Sequence, residues 1–326
     1  MLIRFFKNNN PSSFILLPLF ALVLWIVGFF LDQNSAVKYS MPFYEALANS
    51  ISNIPFLAVF IAFVLVIAEA FLLNYIVNEN EILAKPSFLP ALFYIVFMSN
   101  DSGMLLLHPL IFANFFILLG IHKLVNSYRK DNAFSNAFDA GVFFSIATLF
   151  YFPAIVFLPL LGIGFILFRP FNWREWMITF LGVLMPYVFV FTYYFWNDTL
   201  ISWLENKLLS RLDDQLNLYS SNSFYFILSA GWFIVLLSIG KLFGDHSDTS
   251  QKNKKGLLLL IWASLFALLS VFIAQEISVR SFSALAIPFS VFCANYFLKI
   301  KKRWWAEFLF LFLLTSIFVN HLFNYF

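Results

Sequence analysis

Charged residues are scarce in this sequence of 326 residues. Lys, Arg, Asp and Glu make up 11% of it, whereas hydrophobic residues make up 62% and the mean hydropathy is +0.85. Soluble domains carry about 25% charged and about 45–50% apolar residues, so the composition excludes an ordinary soluble domain. The apolar residues form solid runs rather than short alternating segments, which favours an all-α, polytopic transmembrane helical bundle over a β-barrel.

Cysteines, histidines and the common catalytic or ligand-binding motifs are also scarce in this sequence. Cys293 is the single cysteine, so no intramolecular disulfide can form. Gly240-Lys241 is followed by Leu242, so the sequence has no P-loop, and it contains neither a CxxC nor an HExxH motif. The four histidines are too scattered for a haem or copper site. The net charge of +3 is too small to indicate nucleic-acid binding.

Eleven apolar segments have the length, or the bounding polar turns, of membrane spans. The first of them is longer than the core of a signal peptide and no cleavage site follows closely, so we interpret it as a retained span. The segments are 14–31, 54–76, 88–98, 104–121, two within 138–168, 176–195, 223–241, 256–275, 282–298 and 304–325.

The run 138–168 decides how the rest of the chain is threaded. As one helix it would measure about 46 Å, against a hydrocarbon core of about 30 Å. If the chain turns back at Tyr151-Phe152-Pro153, 16 of the 20 basic residues share one side; a single crossing divides them 9 to 11. The positive-inside rule therefore predicts two crossings, a cytoplasmic N-terminus and an external C-terminus. A single long helix kinked at Pro153 is the alternative.

Several polar side chains then fall on or near the predicted external side. Carboxylates there can act as a general base or bind a metal ion, and arginines can hold a phosphate group, although acidic loop residues are also common without any function. The amphipathic segment 201–219 predicts an interfacial helix, with a shorter counterpart at 41–51. The candidates for catalysis or binding are Asp32, Glu45, Asp101, His108, Arg211 and Arg280.

One further candidate lies inside a predicted span. Glu69 stands in the apolar sequence VIAEAFLLNYI, which also contains Asn74. A carboxyl group within a membrane is expensive to keep there, so it is a candidate for a functional site by default. Asn114 on another predicted span is an available partner for it.

Three segments carry a resemblance to the membrane module of the GT-C glycosyltransferases, which use lipid-phosphate-linked sugars. They are FLDQN (30–34), FDAGVFFSIATLFYFPAIVFLPLLG (138–162) and FLGVLMPYVFVFTYYFWND (180–198). The resemblance implies that residues 1–200 form a GT-C-like module and that Asp32 is a catalytic base or the ligand of a divalent metal. Glu45 stands thirteen residues beyond Asp32, so the close acidic pair of that family is missing.

The segment NFFILLGIHKLVNSYRKDNAFSNAFDA (114–140) is similar to an uncharacterised family of multi-pass inner-membrane proteins from flavobacteria and their relatives. This resemblance implies a Gram-negative inner membrane and supplies no chemistry.

The sequence thus predicts one integral membrane domain over 1–326, with C-terminal spans in 220–326. The leading hypothesis is binding or transfer of a polyprenyl-phosphate-linked sugar on the periplasmic side, with Arg280 or Arg211 holding the phosphate. A non-enzymatic membrane subunit or scaffold, with unspecified protein partners, and a transporter or lipid flippase are the alternatives. The broken short spans and Glu69 favour the last of these.

Overall fold

The computed structural model describes residues 2–7, 11–31, 41–51, 54–130, 132–205, 217–218, 251–274, 276–300 and 302–325. Most of these residues are α-helical. The α-helices are α1 (Leu2–Lys7), α2 (Ser12–Trp25), α3 (Pro42–Ile51), α4 (Pro55–Glu79), α5 (Leu89–Met98), α6 (Pro109–Val125), α7 (Phe134–Phe150), α8 (Leu158–Phe168), α9 (Trp173–Trp196), α10 (Leu200–Leu204), α11 (Gln251–Ile273), α12 (Ala286–Lys299) and α13 (Arg303–Tyr325).

Short 3-10 helices extend or connect several of these elements. They are η1 (Ile26–Phe30), η2 (Ser102–Leu105), η3 (Phe152–Phe157) and η4 (Val279–Leu285). The chain also makes a two-residue parallel pairing between β1 (Asn217–Leu218) and β2 (Glu276–Ile277).

Several helices are long and apolar enough to cross a membrane. In the part of the chain that is described, five helical segments meet this criterion: Ser12–Phe30, Pro55–Glu79, Trp173–Trp196, Gln251–Ile273 and Val279–Lys299. Shorter apolar helices overlap the predicted spans at 88–98, 104–121, 138–168 and 304–325, although α6 begins only at Pro109, five residues after the predicted start of its span. The predicted span 223–241 lies outside the described residues, so the total of eleven crossings stays a prediction.

The predicted break in the run 138–168 is confirmed. Helix α7 ends at Phe150, Tyr151 is extended, and η3 begins at Phe152 with Pro153 in its first turn, where a missing backbone N–H is tolerated. The chain then reverses direction, because Arg169 after α8 donates hydrogen bonds to the backbone oxygens of Ser127 and Lys130, just before α7 begins. Residues 134–168 therefore form a helical hairpin.

Basic side chains collect at one end of the bundle, which we call the basic end. The Phe88 N–H donates to the Phe6 oxygen at 2.9 Å, which joins the start of α5 to α1. Lys255, near the start of α11, lies 5.3 Å from the ring centroid of Tyr128, which follows α6. Every Lys and Arg whose side chain the structure describes lies at this end, with the exception of Arg280.

Helices α7 and α9 run parallel and cross in very close contact at two glycines. A Cβ atom on Gly141 would lie 2.4 Å from the Thr179 oxygen, and one on Gly182 would lie 2.4 Å from the Phe138 oxygen. Small residues that let helix backbones approach closely are typical of contacts between membrane helices. Nearer the other end of the same pair, the hydroxyl groups of Thr148 and Tyr187 are hydrogen-bonded.

Helices α5 and α12 form the centre of the bundle. All of α5 except the partly buried Phe97 is buried, as is α12 from Ala286 to Phe297. The two helices are antiparallel, since Phe93 packs on Phe297 at one end and Phe97 on Phe289 at the other. Their side chains therefore contact protein rather than lipid.

The predicted amphipathic helix over 201–219 is only partly supported. Helix α10 covers Leu200–Leu204, and residues 206–216 lie outside the described residues. At Asn217–Leu218 the prediction is wrong, because the chain is extended and pairs with Glu276–Ile277. Residues 276–277 lie between α11 and η4, where backbone groups have no helical partners, and this pairing gives some of them hydrogen bonds. The shorter counterpart at 41–51 corresponds to α3.

Candidate functional site

The segment 99–108, which contains η2 and lies at the end opposite the basic end, is joined to three other helices. Trp25 Nε1 of α2 donates to Ser99 Oγ at 3.0 Å, and Asn320 Nδ2 of α13 donates to the Asn100 oxygen at 2.9 Å. Tyr44 of α3 donates from its hydroxyl to the Leu107 oxygen at 3.0 Å. The segment reverses the chain between α5 and α6, and its backbone groups lack regular α-helical partners, which explains why polar side chains from other helices converge on it.

Arg280 and Asp101 lie on the two sides of Gly103 in this segment. Arg280 Nε donates to the Gly103 oxygen at 2.9 Å, while Asp101 Oδ2 accepts from the Gly103 N–H at 2.9 Å. A Cβ atom on Gly103 would lie 2.9 Å from Arg280 Nε and 3.0 Å from Asp101 Oδ2. Glycine is thus required at this position for the guanidinium and the carboxylate to approach the backbone so closely.

Asp101 has two structural tasks in this arrangement. It occupies the N-cap position of η2, and its second carboxylate oxygen accepts a hydrogen bond from Asn320 Nδ2 at 3.1 Å. It therefore ties α13 to the segment 99–108. Its charge also lies beside that of Arg280, so the carboxylate favours the fixed position of the guanidinium.

His108 and Tyr44 lie within electrostatic reach of Arg280. His108 precedes α6 and is 1% exposed, and neither of its ring nitrogens has a hydrogen-bond partner in the part of the chain that the structure describes. Burial raises the pKa of the Tyr44 hydroxyl to about 12, although the nearby Arg280 charge lowers it in part. Tyr44 is therefore a neutral hydrogen-bond donor at ordinary pH.

A second polar group lies deeper in the bundle, around Glu69. The Glu69 side chain is 0% exposed, and its Oε2 accepts a hydrogen bond from the Tyr94 hydroxyl at 2.9 Å. Asn114 of α6 lies beside the Tyr94 hydroxyl, and its Nδ2 is 3.5 Å from Ser283 Oγ of η4. Four elements, α4, α5, α6 and η4, each contribute one polar side chain to this intramembrane cluster.

The structure brings together three of the residues predicted from sequence, Asp101, His108 and Arg280, whereas Glu69 lies apart from them. Glu45 is on α3, where its charge acts on Tyr194 of α9. Asp32 and Arg211 lie outside the described residues. Among the residues described, no group of three or more His, Cys, Asp or Glu side chains can hold a metal ion.

Sequence reasoning missed Tyr44, Tyr94 and Ser283. Tyr94 left a signal, because it is the one residue with a hydroxyl in the apolar helix LPALFYIVFM. A tyrosine hydroxyl buried in such a run needs a hydrogen-bond partner, so it points to a polar side chain on a neighbouring helix. Ser283 left no comparable signal, since serine is common in helices and turns alike.

The family model described as "Family of unknown function (DUF6427)" matches residues 15–326. The chain belongs to this family. The DUF6427 match includes both polar clusters, from Glu69 to Ser283, and it agrees with the expectation of an uncharacterised family. No curated protein and no solved structure matches the chain. DUF6427 membership therefore assigns no chemistry to this protein. Its long apolar helices are those of a membrane protein.

Proposed function

We propose that this protein binds a lipid that carries a phosphate group, of the class of polyprenyl-phosphate-linked sugars, at the end of the bundle opposite the basic end. Arg280 contacts the phosphate. The supporting observation is the location of Arg280, since all the other Lys and Arg side chains described are at the basic end. An arginine at the end of the bundle where few basic side chains lie, held there by a backbone oxygen, is well suited to bind an anion.

The contacts of Arg280 orient its side chain for such a ligand. Its Nε is engaged by the Gly103 oxygen, and the residue is partly exposed. A guanidinium held through Nε keeps its plane in a fixed orientation, and the geometry of a guanidinium plane matches two phosphate oxygens. Less side-chain entropy is then lost on binding than for a free surface arginine.

The neighbours of Arg280 suit the same ligand. A neutral imidazole has one N–H donor, and His108 has no partner for it among the described residues. The Asp101 carboxylate next to Arg280 already accepts hydrogen bonds from the Gly103 N–H and from Asn320. The charge of the guanidinium is partly balanced by Asp101, which favours reversible over very tight binding of an anion.

The positive-inside rule assigns the basic end to the cytoplasm, so the proposed lipid site faces the periplasm. Glycosyl transfer is the catalytic form of the proposal, with Asp32 as base or as ligand of a divalent metal. Asp32 follows η1 in the sequence, and η1 packs on the segment 99–108 through Gly28 and Leu105. An Asp32→Asn variant that keeps full cellular function would exclude this catalytic form and leave the binding proposal intact.

The binding proposal can be tested with purified protein in nanodiscs of uncharged lipid. The probe is a fluorescent isoprenyl phosphate, compared with the isoprenol of the same chain length. We expect the phosphate to bind more tightly than the alcohol, and Arg280→Gln to weaken its binding about tenfold or more, since a hydrogen bond to a charged group contributes about 1.5–3 kcal/mol. Arg174→Gln, an exposed arginine at the basic end, is the matched control and should bind normally. Equal affinity of Arg280→Gln and the parent would refute the assignment.

A further inference from the structure

The Glu69 carboxyl lies in the interior of the bundle, far from either end of its helix. It is ten residues from the last residue of α4, or about 15 Å at the rise of an α-helix. Its only side-chain partner in the described part of the chain is the Tyr94 hydroxyl, and the Phe115 backbone N–H also acts on the carboxyl group. Oε1 makes no hydrogen bond of normal geometry there. A carboxylate in such a place needs a compensating positive charge or a proton.

Side chains in the described segments do not supply that charge. The elements packed on α4 in the described segments are α2, α3, α5, α6, η1 and η2, and none of them brings a lysine, arginine or histidine to the Glu69 carboxyl. The titratable groups on these elements and on α4 itself are Tyr44, Glu45, Tyr75, Glu79, Tyr94, His122 and Lys123. Of these, only Tyr94 acts on Glu69.

The cluster instead contains two buried oxygens that make no hydrogen bond within the described structure, Glu69 Oε1 and Asn114 Oδ1. The Tyr94 hydroxyl donates to the carboxyl group, and Asn114 Nδ2 lies 3.5 Å from the Ser283 hydroxyl. We infer that Glu69, Asn114, Tyr94 and Ser283 form a binding site for a monovalent cation, H⁺ or Na⁺, which neutralises the carboxylate. Neutral oxygens with one carboxylate match a single positive charge, whereas a divalent ion would leave excess charge buried.

The backbone near Ser283 fits this assignment. Ser283 lies in η4, a 3-10 segment that continues directly into α12, so the backbone close to the cluster is not regular α-helix. Hydrogen-bond geometry is poorer in a 3-10 helix, and membrane transporters commonly bind Na⁺ or H⁺ where the backbone departs from α-helical geometry. Irregular backbone is tolerated at membrane depth when it is surrounded by protein, and 89% of an 18-residue stretch within Val279–Lys299 is buried.

The inference does not depend on phosphate binding at Arg280, and the test needs no lipid ligand. The protein in uncharged nanodiscs is unfolded by heat, and unfolding is followed by the reaction of Cys293, the single and fully buried cysteine, with a fluorogenic maleimide. Sodium chloride is exchanged for choline chloride at constant ionic strength, and in a second series the pH is varied without sodium. Infrared spectra of the same samples report the C=O stretch of a protonated carboxyl group.

When the cation concentration exceeds Kd, the free energy of unfolding rises in proportion to the logarithm of that concentration. We expect Tm to rise with Na⁺ at fixed pH, or with falling pH in sodium-free buffer, and Glu69→Gln to lose that response while it still folds. If H⁺ is the ligand, the wild type shows a carboxylic-acid band that Glu69→Gln lacks and that sodium does not remove. If Na⁺ is the ligand, sodium raises Tm and choline does not.

Glu175→Gln is the matched control, because Glu175 is also a buried glutamate but is paired with Arg169. It should lower Tm and keep the cation response. Asn114→Ala retains the carboxyl group and removes a neutral oxygen, so it should require roughly three- to tenfold more Na⁺ or H⁺ for the same response. Identical sodium and pH responses and identical infrared spectra in the wild type and Glu69→Gln would overturn the inference, as would an unchanged response in Asn114→Ala.

Discussion

Replacing Gly182 by alanine should force α7 and α9 apart. The added Cβ atom would lie 2.4 Å from the Phe138 oxygen, and real contacts of this kind essentially never fall below 3.0 Å. The two backbones must therefore separate by about 0.6 Å, the difference between these distances, because the obstructing atom belongs to the backbone of α7 and cannot rotate away.

The size of the effect follows from two opposing contributions. Overpacking in a well-packed contact costs about 1–3 kcal/mol, and a gap of about 0.5–1 Å removes a quarter to a half of the dispersion energy of each atom pair along the crossing. Alanine gains up to about 1 kcal/mol over glycine in helix propensity. We therefore expect Gly182→Ala to destabilise the protein by about 1–2 kcal/mol and to weaken the hydrogen bond between Thr148 and Tyr187.

Cys293 gives a convenient assay for this prediction. It lies on α12 at the centre of the bundle with 0% exposure, so a thiol-reactive dye should react with it only when the bundle opens. The Tm of Gly182→Ala should fall relative to the parent. Gly141→Ala affects the same crossing, so the double variant should lose less stability than the sum of the two single variants.

Gly162→Ala on α8 is the matched control. Its Cβ atom would lie 3.2 Å from the tip of the Trp176 ring, which can shift by a few tenths of an ångström. We expect its stability to be unchanged or to rise by up to about 1 kcal/mol. If Gly182→Ala were as stable as Gly162→Ala, the close parallel crossing of α7 and α9 would be refuted.

Two further predictions concern polar contacts at opposite ends of the bundle. Glu175→Gln should destabilise the protein by about 3 kcal/mol in thermal or denaturant unfolding, because it leaves the buried Arg169 guanidinium with neutral acceptors only. The control is Glu79→Gln at an exposed position, which should change the free energy of unfolding by less than about 0.5 kcal/mol. A loss equal to that of Glu79→Gln would contradict the buried ion pair. The Tyr44 pKa is raised from 10.0 to about 12, so the stability that the neutral hydroxyl contributes is present below pH 10 and is lost as the pH rises through 12. The difference in Tm between the wild type and Tyr44→Phe should accordingly shrink between pH 10 and pH 12. A difference that stays constant over that range would show that burial does not raise the Tyr44 pKa.

The distribution of charge carried most of what could be predicted about the fold. It favoured a reversal of the chain at residues 151–153, and the structure has an extended Tyr151 and a hairpin at that place. The same reasoning put Asp101 and Arg280 on one side of the membrane, and the structure joins both to Gly103. Charge is informative here because each basic loop must stay in water, whatever the packing inside the membrane is.

Contacts between apolar helices could not be predicted in the same way. A helix surrounded by protein and a helix that faces lipid have the same apolar composition. The sequence of the run 88–98 therefore predicts only an ordinary short membrane span. The contact between Tyr94 and Glu69 and that between Arg280 and Gly103 join elements far apart in sequence, and no local pattern indicates them. The extended pairing at Asn217–Leu218 likewise depends on its distant partner strand rather than on its own sequence.

The central position of α5 constrains the order in which the protein is made. With 10 residues, or about 15 Å, α5 is too short to cross the bilayer as a stable helix alone. Its partner α12 is synthesised roughly 190 residues later, so during translation the surface of α5 that later contacts α12 has to be covered by lipid or by an insertion factor. Folding of the centre therefore waits for the last part of the chain, and a protein truncated before α12 should be recognised as incomplete by membrane quality control.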